Sequence, residues 1–261
     1  MIAKIVHESR KILIKFGSST LADADGRIDD TILFSFASSI AELKKNGKEV
    51  VVVSSGAQAA GLSTMQKWER KRDIHYRQAL CAVGQVKLMQ AWQHSFAPHN
   101  INVAQILLTR EDFGDSIRSL NMRNTLFTLV DEGIIPIINE NDSVSVEEIK
   151  IGDNDNLAAQ SAMLWSADLL VLFSDIDGLY DKNPQLFPDA RFIGEVSDID
   201  ATRKTIETGG TSGLGTGGIV TKLDAAAFAT SYGIPTIITR GYPAAFTDLL
   251  SGTLRGTVFS V

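Results

Sequence analysis

The 261-residue sequence contains one cysteine, Cys81. A single thiol closes no internal disulfide and builds no cysteine-based metal cluster, so nothing points to an oxidising compartment. Long hydrophobic runs are missing as well. Stretches such as Val50–Val53 and Leu169–Phe173 fall far short of the ~20 apolar residues that span a bilayer. Near the N-terminus, Lys4, Glu8, Arg10 and Lys11 interrupt any signal-peptide core, and the chain is expected to be cytoplasmic. Basic residues are not in excess: 25 Lys and Arg against 31 Asp and Glu give a net charge of −6. That balance argues against a general nucleic-acid or membrane-surface binder. Its four histidines, His7, His75, His94 and His99, are scattered and suggest no metal site. With 44% apolar residues, the chain is also too hydrophobic for the disordered class.

What the sequence does contain is alternation. Short apolar strands are expected at Lys11–Phe16, Glu49–Val53, Val103–Leu108, Ile134–Ile138, Asp168–Phe173, Pro235–Thr239 and Gly256–Ser260. Helical patterns fall between them at about Asp29–Asn46, Ile74–Ala97, Ser116–Glu132, Asp153–Ser166 and Gly217–Gly233. In the first helix Ile32, Leu33, Phe36, Ile40 and Leu43 share one face, with Asp29 or Asp30 as N-cap and Gly47 as the stop. Ser143–Ile149 alternates like a surface hairpin strand. Strands alternating with helices predict an α/β fold, a three-layer αβα sandwich around a mostly parallel sheet. Residues 1–261 are expected to form a single domain.

In such sheets ligands bind beyond the carboxyl ends of the strands, and here those ends are polar. Lys15-Phe16-Gly17-Ser18-Ser19 follows the first strand, and small residues after a lysine let backbone N–H groups approach an anion. An ordinary turn after a surface lysine reads the same way. Ser54-Ser55-Gly56-Ala57 runs into a helix whose N-terminus suits a carboxylate or phosphate, or else is simply capped by a serine. Asn139-Glu140-Asn141-Asp142 and Ser174-Asp175-Ile176-Asp177-Gly178 end two further strands. Asp153-Asn154-Asp155-Asn156 holds more polar residues than helix capping needs and lacks the glycine and glutamate of a calcium loop. Gly213, Gly215 and Gly218 match G-x-G-x-x-G, yet no strand precedes them and Ile238 stands where a dinucleotide fold would place an acid. A P-loop fails too, since Leu223 follows Lys222. A glycine-rich loop leading into a helix, with Lys222 one turn inside it, still suits a polyphosphate.

Taken together, Ile14–Ser19, Val53–Ala57, Ile137–Asp142, Ile151–Leu157, Ser174–Tyr180 and Gly213–Gly218 through Lys222 resemble the amino-acid kinase family. The order is that of the family and spans essentially the whole chain. The resemblance is strongest to members that use ATP to phosphorylate the side-chain carboxylate of L-glutamate, the first step of proline biosynthesis. It implies that Ser55, Asp142 and Asn154 hold glutamate. Lys15, Ser174, Asp175, Thr216, Gly217, Gly218, Ile219, Val220, Thr221 and Lys222 would hold ATP with its Mg²⁺. Lys15 and Lys222 would flank the migrating phosphoryl group, oriented by Asp155. The same reading gives the amide of Asn154 to the substrate carboxylates and Asp142 to its ammonium. No residue is assigned to the metal. Family members acting on acetylglutamate, aspartate, carbamate or UMP are the alternatives, as is a non-catalytic nucleotide binder on the same fold. A homo-oligomer is expected from the helical faces, and feedback inhibition by proline is implied by the resemblance alone. Ile219 stands where relatives often carry methionine, and many relatives continue past the position of Val261 into an RNA-binding-type (PUA) domain, which this chain is expected to lack.

Overall fold

A computed structural model describes all residues except 24, 63, 66–72, 146–153, 185 and 209–217, with residues 207 and 208 described by backbone alone. The described elements are α1 (Ile2–Glu8), β1 (Lys11–Phe16), α2 (Ser18–Leu21), α3 (Asp30–Lys45), β2 (Glu49–Ser54), α4 (Ala57–Leu62), α5 (Ile74–Phe96) and β3 (Val103–Leu108). Then come α6 (Arg110–Gly114), α7 (Ser116–Asp131), β4 (Ile135–Glu140), α8 (Asn154–Trp165) and β5 (Leu169–Ser174). The chain continues through β6 (Leu179–Tyr180), β7 (Phe192–Ile193), β8 (Glu195–Val196), α9 (Ile199–Thr208), α10 (Gly218–Ser231), β9 (Thr236–Arg240), α11 (Ala245–Ser251) and β10 (Gly256–Phe259).

Eight strands form one sheet in the order β3-β4-β2-β1-β5-β9-β10-β8. From β3 to β9 every neighbour is parallel, each connection containing at least one helix. β10 departs from this by running antiparallel to β9, although α11 lies in its connection. Side chains alternate across a strand, so each buried strand feeds two cores. Ile12, Ile14 and Phe16 of β1 meet α3, α5 and α11 through Phe36, Ile40, Leu88, Trp92 and Phe246. Leu13 faces the opposite layer, among Leu126 of α7, Leu157 and Ala158 of α8, and Leu223 of α10. These are the expected three layers.

Local chemistry sets the element ends. Asp29 caps α3, accepting from the N–H groups of Thr31 and Ile32, and Gly47 takes φ +76° beyond its last turn. Pro136 lies one residue into β4, opposite Ala104 of β3, and has no N–H to donate; β4 pairs with β2 only at Ile137 and Ile138. Helix α1 has no counterpart in the expected elements; it buries Val6 and leans Ile2 and Ile5 on the first core. Ser143 and Val144, expected in a hairpin strand, instead lie in a turn in which the Asn141 carbonyl accepts from the N–H groups of Val144 and Ser145. Residues 146–149 of that expected strand lie outside the described residues. Among the described residues no helix is long and apolar enough to cross a membrane.

Candidate active site

β1, β2, β4, β5 and β9 all deliver their carboxyl ends to one edge of the sheet. On β1, alternation places Lys15 on the same side as Leu13, under α8 and α10. It lies opposite Val53 and Leu172 in the two flanking ladders. A lysine only 5% exposed needs a counter-charge, and Asp155, the second residue of α8, supplies it. Lys15 Nζ lies 2.5 Å from Asp155 Oδ1.

Lys222, on the second turn of α10, reaches the other oxygen of the same carboxylate at 3.1 Å and also donates to the Gly218 carbonyl at 3.1 Å. Thr221 Oγ1 donates to Asp155 Oδ2 at 3.0 Å. The two helices approach closely because their facing residues are small: Ala158, Ala159 and Ala162 on α8, Ala225, Ala226 and Ala229 on α10, all buried in one core. Burial alone would push the Asp155 carboxyl up; Lys15 and then Lys222 overturn that and hold it down at about 2. Within this trio two ammonium groups face one carboxylate, a local arrangement that suits a polyanion.

A second cluster abuts the first. Asn154 Nδ2 donates to Ser55 Oγ at 2.7 Å and to Asn139 Oδ1 at 2.9 Å. Asn139 Oδ1 also accepts from the main-chain N–H of Glu140 at 2.9 Å. Ser55 sits just past β2, where its own N–H donates to the Phe16 carbonyl. Gly56 follows at φ +105°, a left-handed conformation that turns the chain sharply into α4 and that L-residues rarely adopt. Asp142, beyond β4, lies against the thiol of Cys81 on α5. Burial and this carboxylate, which accepts the thiol hydrogen, push Cys81 up to about 12. Cys81 is thus the small buried residue its helical context suggests.

The structure therefore brings Lys15, Asp155, Thr221 and Lys222 into one cluster and Ser55 with Asn154 into another, joined by consecutive residues of α8. Ser174 lies at the end of β5, bonded to Asp175 Oδ1 at 2.9 Å. Ile219 packs against the second core while Val220 is exposed. Thr216 and Gly217 lie outside the described residues, as does Asp153. Asn139 was visible in the sequence only as part of a polar strand end with no role of its own. Its contact with Asn154 spans 15 residues and carries no local signature. The expectation that the Asn154 amide meets a carboxylate meets a constraint: its two hydrogens are already directed to Ser55 and Asn139. Among the described residues no group of three or more His, Cys, Asp or Glu is arranged to hold a metal.

Two buried lysines at the carboxyl edge of a parallel α/β sheet are an arrangement suited to enzymes that handle phosphoryl groups. Residues 10–240 match the model of the amino acid kinase family, and the chain belongs to that family. It is 54% identical over 260 residues to the glutamate 5-kinase of Alkaliphilus metalliredigens, covering 99% of this chain and 98% of the relative. To the glutamate 5-kinase of Alkaliphilus oremlandii it is 55% identical over 241 residues, 92% of each chain. Among solved structures, carbamate kinase from Giardia lamblia bound to AMP-PNP has the same fold, with a TM-score of 0.68 over 97% of this chain and 99% of that one at 17% identity.

Proposed function

We propose that this chain, acting as one kinase domain over residues 1–261, transfers the γ-phosphoryl group of ATP to the side-chain carboxylate of L-glutamate, forming L-glutamyl 5-phosphate and ADP. The observation that carries the reading is the pair of buried lysines from distant segments, Lys15 and Lys222, sharing Asp155. The identity to glutamate 5-kinases over the full chain supports the choice of acceptor.

Both reactants are anions, and the acceptor oxygen is already ionised, so no general base is required. Catalysis reduces to positioning and to stabilising charge that spreads over the transferring oxygens and the β–γ bridge. Lys15 and Lys222 flank that charge. Asp155, held ionised by both, fixes the direction of each ammonium and takes no proton. Ser174, Asp175 and the segment from Thr216 to Lys222 hold the nucleotide. Ser55, Asn154 and Asp142 hold glutamate, with the Asp142 carboxylate facing its ammonium. Magnesium enters as part of the nucleotide substrate, its charge offsetting that of the triphosphate.

Asp142 separates this reading from acceptors that lack an ammonium, such as N-acetylglutamate. Trapping of acyl phosphate by hydroxylamine, with ATP, Mg²⁺ and a panel of acids, tests the assignment. Hydroxamate is expected with L-glutamate and not with acetylglutamate, aspartate or carbamate; a signal with another acid and none with glutamate overturns it.

A further inference from the structure

We infer that Asn139 is a positioning residue that sets the hydrogen-bonding sense of the acceptor site, forcing the Ser55 hydroxyl to donate and the Asn154 carbonyl oxygen to accept. The inference rests on the acceptor reading above and adds to it the direction in which each group works.

The argument starts from a group whose role cannot change. A main-chain N–H only donates. The N–H of Glu140 points at the Asn139 side chain from 2.9 Å, so the atom it meets is the carbonyl oxygen, Oδ1. The Asn154 atom 2.9 Å from that same oxygen must then be a donor, its amide nitrogen. One hydrogen of that nitrogen goes to Asn139. The other goes to Ser55 Oγ at 2.7 Å, which makes the serine oxygen an acceptor and turns its own hydrogen outward. The last atom of the Asn154 amide, Oδ1, is left to accept. Asn139 is 4% exposed, so water does not compete for its oxygen, and a buried amide with fixed partners has one orientation.

The bonds thus converge on Asn139 Oδ1, which accepts from the Glu140 N–H and from Asn154, while the second hydrogen of the Asn154 amide goes to Ser55 and leaves the serine O–H to donate. A hydroxyl constrained to donate selects an acceptor oxygen, as in a carboxylate. An amide oxygen constrained to accept selects a donor, as in an ammonium. With the Asp142 carboxylate beyond β4, the site is built for a zwitterion, an acid carrying a free amino group.

The test compares Asn139→Leu and Asn139→Asp in the full chain, measuring KM and kcat for L-glutamate and, separately, for glutarate, which has no ammonium. Asn139→Leu removes the acceptor at nearly constant volume; KM for L-glutamate should rise at least tenfold, KM for ATP should stay within twofold, and the preference for glutamate over glutarate should collapse. Asn139→Asp keeps an acceptor oxygen at the same place and should recover most of the glutamate affinity. An unchanged glutamate KM in Asn139→Leu, or equal rises in both KM values, overturns the inference, as does an aspartate variant no better than leucine. Wild-type protein that makes no glutamyl phosphate would instead defeat the acceptor reading itself. Should the leucine variant not fold, the wild-type Asn154 side-chain amide, assigned in ¹⁵N spectra by its loss in Asn154→Asp, gives an independent answer. Two slowly exchanging amide protons support the inference, and fast exchange of both overturns it.

Discussion

Asp155 accepts from Lys15, Thr221 and Lys222 while remaining 3% exposed, and its titration is a handle on the site. Its carboxyl is depressed from 3.8 to about 2 in the folded chain. A depressed acid stabilises the fold above its unfolded pKa and loses that contribution as pH falls through the folded value. Between pH 4 and 2, about 2 kcal/mol of stability should therefore disappear. Acid unfolding of wild type against Asp155→Asn checks this: the variant, less stable at neutral pH, should show a weaker dependence in that window. Lys222→Ala leaves Asp155 still paired with Lys15, so the fold should survive. Loss of one preorganised donor should lower kcat by about 10²–10³, roughly 3–4 kcal/mol. An unchanged kcat removes Lys222 from the mechanism. At this scale Lys15, Lys222 and Asp155 were named together by the family resemblance, since a lysine before a turn and an aspartate at a helix opening each have an ordinary structural reading as well. Asn139 was not, because its meaning depends on a partner across the sheet.

Between elements, the tightest joint is the one that carries Ser55. Helix α4 lies against α5 so closely that a Cβ on Gly84 would stand 1.7 Å from the Ala57 carbonyl oxygen, and one on Gly61 2.2 Å from that of Leu80. Trp92 of α5 donates from Nε1 to Ser54 Oγ at 2.9 Å, fixing the end of β2 to the same helix. Gly84→Ala should push α4 outward, costing about 1–3 kcal/mol as overpacking does and raising KM for glutamate more than KM for ATP. Thermal unfolding with steady-state kinetics checks both, and an ATP-selective defect would contradict the placement of the acceptor. The strands were readable because each is a continuous apolar run. Helix α1 was not: Ile2, Ile5 and Val6 are interleaved with Lys4, His7 and Glu8, and seven residues make a marginal helix without the docking onto α11 that sequence does not display. The reversal at β10 was equally hidden, since strand direction follows from the route of the connection rather than from the strand's composition.

Across the molecule, β1 divides the sheet. β2, β4 and β3 lie on one flank, with Ser55, Asn139 and the Asp142 turn at their ends; β5 and β9 lie on the other, with Ser174 and Asp175. Because each flank is a rigid part of one sheet, each subsite should be formed before the other is filled. Nucleotide alone and glutamate alone should both raise the unfolding temperature, each by the equivalent of about 2.7 kcal/mol at one hundred times its Kd. Differential scanning fluorimetry checks this, and glutamate that stabilises only in the presence of nucleotide would show that the acceptor flank is completed by the donor.

That partition also says where new chemistry is reachable. A library seeking a different acceptor acid starts at the tips of β2 and β4 and has to include Asn154 of α8, which bonds to both of them. Because Asn154 adjoins Asp155, which both lysines share, its substitutions need screening for turnover as well as for acceptor choice, whereas changes at the two strand tips should be combinable in a single gene with changes on the nucleotide flank.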